Sequence, residues 1–238
     1  MDWPLWRREV YNDQARYDKR SHIAGKEATM RSRLLSIITI SLVLGILGGA
    51  AHAQTSQPSG ATVSGRVTVP AGAIPEMIVY LESTDGSKFP APPEVSISQK
   101  GAKFTPALLI ISAGQTVNFK NDETGKSIEH NVFSRSPTQS FDLGLYLPPT
   151  DKRVAFNTPG VVRLYCSIHR LMDGVIYICP TPFWAQVDAN GSFNITNVPA
   201  GNWKIRTWQR NAKFNEAEAP VKTEGAGRAN VDLKLSRD

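Results

Sequence analysis

Cys166, His169 and Met172 follow one another at three-residue spacing, and His130 stands well upstream of them. A thiol, an imidazole and a thioether on one short stretch can face a common point if the chain turns tightly there. Two imidazoles and one thiolate in a trigonal arrangement, with a weak thioether on the axis, are the donors that hold a single copper ion for one-electron exchange between Cu(I) and Cu(II). The expected strong ligands are therefore His130, Cys166 and His169, and the expected axial ligand is Met172. The donors come from two separate places in the chain, so the fold and not the ion must bring them together. That suits a centre whose oxidation state changes with little rearrangement.

Counting narrows the chemistry. With 2 cysteines the chain cannot build a four-cysteine zinc or iron–sulfur site. With 4 histidines, two of them (His22 and His52) in the leader described below, it has none to spare for a second copper centre. An oxidase or nitrite reductase is not expected, and the chain reads as an electron carrier and not an enzyme. Zinc bound by Cys166, Cys179, His130 and His169 is the inorganic rival, and a Cys166–Cys179 disulfide is the structural one in an exported protein. Strand register weighs against both. If residues 161–165 pair with 174–178, Cys179 lies opposite Gly160 or Val161. At about 3.3 Å per residue this puts it more than about 15 Å from Cys166, whereas bridged Cα atoms lie within about 7 Å. Cys179 is then a buried apolar thiol.

The positioning elements are strands. Beyond residue 60 the apolar residues fall in short alternating runs, at 62–69, 77–81, 107–112, 115–120, 161–166, 174–179, 192–195, 202–208 and 229–235, separated by Gly, Pro and Asn. Runs of this length, rich in β-branched and aromatic residues, predict an all-β sandwich protein. The Cys166–Met172 stretch sits between two such runs, so one hairpin loop carries three donors. Asn190-Gly191 predicts a hairpin turn, with φ > 0 at both central positions. Trp184, Trp203 and Trp208 are expected in core and edge packing.

Residues 1–53 are set apart as a leader. Arg31 and Arg33 precede an uncharged apolar stretch from Leu34 to Ala51, and Ala51-His52-Ala53 is a small–x–small cleavage pattern. This describes a secretory signal peptide, with 30–53 a signal of normal length by itself. Export to the periplasm follows. The alternative is a retained membrane anchor facing the periplasm, and membrane association is expected only in that case. Half of the formal net charge of +6 lies in this leader. The remainder has no basic stripe, so no nucleic-acid partner is expected.

Several motifs stand together in order: Phe104-Thr105-Pro106, Gly114-Gln115-Thr116-Val117-Asn118-Phe119-Lys120-Asn121, His130-Asn131-Val132, and Cys166 through Met172 to Gly174. Over about residues 88–179 they resemble the cupredoxin family of plastocyanin, azurin and amicyanin, with a short, amicyanin-like ligand loop. The resemblance implies a Greek-key β-sandwich and a blue copper centre. It also implies that the Asn131 main-chain N–H bonds the Cys166 sulfur while its side chain ties the ligand segments together. A redox protein would dock near the exposed histidine edge, around Leu147, Pro148 and Leu171. Arg170 departs from the family, where proline is usual, and its charge suggests an acidic partner surface.

The flanks, at 61–83 and 183–236, resemble a carboxypeptidase regulatory-like, transthyretin-type β-sandwich, smaller than the first. The expected organisation is a 54–60 linker, a discontinuous sandwich at 61–85 plus 181–238, and a cupredoxin domain at 86–180 inserted into it. A continuous three-sheet protein is the alternative. Copper delivery or storage, and a metal-free interaction module, remain the rival functions.

Overall fold

Alternating apolar and polar side chains resolve, in the computed structural model of residues 60–124 and 128–237, into strands alone, with no helix among the described residues. The 1–53 leader and all but the end of the 54–60 linker lie outside the described residues. In chain order the strands are β1 (Ala61–Thr68), β2 (Met77–Ser83), β3 (Val95–Gln99), β4 (Phe104–Thr105), β5 (Leu108–Ser112), β6 (Gln115–Asn121), β7 (Phe133–Arg135), β8 (Ser140–Asp142) and β9 (Asp151–Phe156). Then come β10 (Gly160–Tyr165), β11 (Asp173–Cys179), β12 (Trp184–Gln186), β13 (Ser192–Val198), β14 (Gly201–Gln209), β15 (Glu218–Thr223), β16 (Arg228–Asn230) and β17 (Leu233–Lys234).

They form four sheets. One has the order β4-β3-β6-β9 and another β5-β11-β10-β7-β8. These two close on a shared core of Ile97, Val117, Phe119 and Phe156 from the first and Val162, Leu164, Ile176 and Ile178 from the second. The other two, β13-β1-β16 with β17 also on β1, and β12-β2-β14-β15, close on Val63, Val67, Val79, Leu81, Ile195, Trp203 and Ile205. No named sheet mixes β3–β11 with the remaining strands.

β11 shows why its run is apolar throughout. Successive side chains on a strand point to opposite faces. Ile176 and Ile178 enter the core shared with β6, while Val175, Tyr177 and Cys179 turn to a third cluster with Ile78, Tyr80 and Trp208. A strand covered on both faces has no place for a polar residue. Tyr177 stacks on Trp208 with ring centroids 4.1 Å apart.

The turn at Asn190-Gly191 differs from expectation. It joins β12 to β13, which lie in different sheets, and a three-residue loop is closed by Asp188 N–H to Ser192 O at 3.0 Å and Gly191 N–H to Asp188 O at 2.9 Å. Gly191 alone has positive φ, at 83°. Asp188 sets the geometry, since its Oδ1 accepts the N–H groups of Asn190 and Ser192, both at 2.8 Å. A side chain bonding its own following backbone displaces the two-residue hairpin turn. Gly191 is needed for close approach too, because a Cβ there would stand 2.2 Å from Val67 O. The run at 229–235 also breaks, into β16 and β17. Between them Asp232 Oδ1 takes the Arg66 N–H at 2.8 Å, doing with a side chain what the strand ladder would do.

Candidate metal centre

The Cys166–Met172 loop is the end of the β10–β11 hairpin. Register runs from Gly160↔Ile178 to Tyr165↔Asp173, so residues 166–172 must turn the chain round. Two main-chain bonds tighten that turn, Met172 N–H to His169 O at 2.9 Å and Cys166 N–H to Met172 O at 3.3 Å. Below it Gly174 sits against Phe104, where a Cβ would lie 3.3 Å from the ring. The loop is also tied sideways. Asn131 Oδ1 accepts the Ser167 N–H at 2.7 Å and the Ser167 hydroxyl at 3.0 Å, and Asn131 Nδ2 donates to Asp142 at 3.2 Å.

These ties bring the upstream histidine to the loop. One ligand atom each from His130, Cys166 and His169 lies within 4.8 Å of the others. Cys166 Sγ is 3.6 Å from His169 Nδ1, and the two imidazole centroids are 4.6 Å apart. Two donors each about 2.0–2.3 Å from one ion, in trigonal or tetrahedral geometry, stand about 3.5 Å apart. Met172 is 1% exposed and belongs to the same buried cluster as Cys166.

His130 carries the most telling geometry. It is fully buried, and its main chain is held by an isolated bridge to Tyr146, with bonds of 3.2 and 2.9 Å. Its Nε2 lies 3.0 Å from Glu123 Oε1. That hydrogen bond, the largest cause, holds the Glu123 carboxyl below its usual value, so the group is a carboxylate that can only accept. A neutral ring that donates its Nε2–H to this carboxylate presents a lone pair at Nδ1. Nδ1 is buried and has no hydrogen-bond partner. An orphaned buried acceptor costs about 1–3 kcal/mol unless something fills it. A cation at the Cys166–His169 pair fills it, and the donor set fits copper. Burial, the largest cause, holds the His169 imidazole below its ordinary value, which favours the neutral ring that binds metal.

Cys179 lies one place beyond the Gly160↔Ile178 pair, at the far end of the hairpin, and both cysteines are free. Burial pushes its thiol well up, so it stays protonated and apolar. At the mouth of the site Arg170 and Leu171 are exposed, Leu171 by 94%; Leu147 is exposed and Pro148 half-buried. Ile128, Tyr165 and Ile168 are also exposed. Together with Leu147 and Leu171, these large apolar side chains flank the ligands or the Tyr146 bridge in sequence.

Glu123 was not among the residues singled out from the sequence. Asp122, Glu123 and Glu129 all precede His130, and nothing in their spacing says which one turns inward. A carboxylate behind a ligand imidazole fixes its tautomer and raises its basicity. Glu123→Gln is therefore expected to lower copper affinity about 10–100-fold. It should also raise the reduction potential, since removing negative charge favours the less positive ion. Chelator competition and voltammetry measure the two effects.

No family model and no curated protein matches this chain. Among solved structures, a purple cupredoxin from Nitrosopumilus maritimus is similar at 25% identity and a TM-score of 0.32, over 35% of this chain and 98% of that one. A copper-containing nitrite reductase from Thermus scotoductus SA-01 is similar at 27% identity and a TM-score of 0.35, over 39% of this chain and 24% of that one. An oxidized amicyanin variant is similar at 16% identity and a TM-score of 0.33, over 36% of this chain and 81% of its own. Likenesses this partial leave the site to be judged on its own geometry.

Proposed function

We propose that the chain is an exported one-electron carrier of the blue copper type. His130 Nδ1, Cys166 Sγ and His169 Nδ1 would hold the ion, and Met172 would add a weak thioether donor. The observation that carries this is the His130 ring, whose Nε2 is committed to Glu123 while Nδ1 is buried without a partner beside a thiol and a second imidazole. Copper bound there supplies a one-electron couple. The chain's own part is to keep the donors fixed. The Asn131–Ser167 bonds and the hairpin register do so without the metal, which keeps rearrangement between oxidation states small.

The exposed apolar residues about the ligand loop are the proposed docking face for a redox protein, with Leu147, Pro148 and Leu171 at its centre and Arg170 meeting acidic groups on the partner. The proposed organisation is a copper-binding sandwich at 86–180 inserted into a carboxypeptidase regulatory-like, transthyretin-type sandwich at 61–85 plus 181–238. The separation of β3–β11 from the other strands into their own sheets supports that division. The second sandwich would serve as a docking module, and export through the 30–53 signal would deliver the chain to the periplasm.

Titration with Cu(II) tests the central claim. One equivalent is expected to give an intense visible thiolate-to-copper band and a reversible one-electron wave in voltammetry. A colourless complex overturns the copper assignment. A coloured complex that surrenders its ion readily to a chelator and gives no reversible wave favours delivery or storage instead.

A further inference from the structure

We propose that Asn121, at the end of β6, is the positioning residue for the His130 half of the centre, an inference that rests on the copper assignment above. Asn121 is buried, and its carboxamide uses both kinds of hydrogen bond available to it. Nδ2 donates to Ile128 O at 2.9 Å and to Tyr146 O at 2.9 Å, and Oδ1 accepts the Glu123 N–H at 3.2 Å. Each partner bears on His130 by a different route. Ile128 leads the chain into it, Tyr146 holds its main chain on both sides of the isolated bridge, and Glu123 holds its Nε2.

Asn121 is itself anchored in a sheet. It pairs with Gln99 on β3, and its N–H bonds Thr150 O at 3.0 Å. Gln99 also reaches the Tyr146 hydroxyl, which donates to Phe119 O at 3.3 Å, so the Tyr146 side chain is fixed from the same sheet. None of the described residues between Asn121 and His130 belongs to a named strand, and His130 itself is held by the isolated bridge to Tyr146. One carboxamide therefore transmits the position of β6 to the imidazole and to the carboxylate behind it. Its composition is specific. Asp keeps the acceptor but loses both donations to carbonyls, and Ser is too short to span the two carbonyl oxygens.

The test uses the full chain with Asn121→Ser and Asn121→Asp. In the metal-free wild type, ¹⁵N NMR is expected to show His130 as the Nε2–H tautomer with a ring proton protected from exchange, and in both variants that protection is lost. Cu(II) affinity, read by chelator competition, is expected to fall about 10–100-fold, with an altered visible band. Variants that lose only thermal or urea stability, while keeping ring-proton protection, affinity and band, reduce Asn121 to a fold residue and overturn the proposal. If neither variant folds, the Asn121 carboxamide protons of the wild type decide: protection from exchange supports the proposal, and exchange at the rate of an exposed carboxamide overturns it. A wild type that binds Cu(II) without a thiolate band defeats the copper assignment alone, because the metal-free ring signal judges Asn121 independently.

Discussion

Cys166→Ser is expected to abolish the visible band completely and to lower Cu(II) affinity by at least about 100-fold, a larger loss than that from Glu123→Gln. The band needs a thiolate, and a serine hydroxyl does not ionise near neutral pH. The fold should survive. Cys166 is 4% exposed, but the exchange of sulfur for oxygen is small and leaves no large cavity. Cys179→Ser is the matched control. It places a hydroxyl among Tyr80, Tyr177 and Trp208, at a cost of about 1–3 kcal/mol if unbonded. The colour should be unchanged, since Cys179 is at the opposite end of the hairpin from the ligand loop. Visible spectra of the two variants, with urea unfolding of each, separate the roles. Colour lost in the Cys179 variant, or kept in the Cys166 variant, would sink the ligand assignment.

The ligand loop could be located from sequence because its chemistry is local. Three donors at three-residue spacing between two apolar runs leave little choice but a hairpin end, and the observed β10–β11 register, Gly160↔Ile178, falls one place from the pairing expected. Strands with a clear apolar period, such as β6 and β14, could be read in the same way. β3, β9 and β15 could not. β3 has only Val95 and Ile97 as apolar residues, β9 opens on Asp151, Lys152 and Arg153, and β15 contains Pro220. Pro220 is tolerated because β15 is a sheet edge, which no local pattern reveals. The devices behind His130 were hidden for a related reason. Asn121 and Tyr146 act through main-chain carbonyls and amides, and Glu123 reaches the ring with a carboxylate that its neighbours Asp122 and Glu129 also carry. Such partners have no residue-type signature. The Asn190-Gly191 turn misled in the opposite sense, as a strong local signal overruled by the Asp188 side chain.

Trp208→Ala is expected to cost about 3–5 kcal/mol and to make the two sheet pairs unfold separately. Trp208 is on β14, and its ring stacks on Tyr177 of β11, the strand that leads directly out of the ligand loop. Tyr80 lies against Tyr177 at 5.8 Å, and Ile78 and Val175 complete the same buried cluster. These contacts join strands from the two sheet pairs, and an aromatic pair adds about 0.5–1.5 kcal/mol beyond the area it buries. The wild type should therefore unfold in one transition, with the copper band and far-UV circular dichroism falling together in urea. Removing the indole takes away the largest shared side chain while leaving both inner cores intact. The β1–β2 and β12–β17 pair, which loses a residue of β14, should then unfold at lower urea than the copper band disappears. The band itself should keep its wavelength, because the ligands rest on the Phe119–Leu164 core and not on this cluster. A wild type whose two signals already separate, or a variant shifted by less than about 1 kcal/mol, would mean that the Tyr177–Trp208 stack joins the sheets in space without coupling their stability.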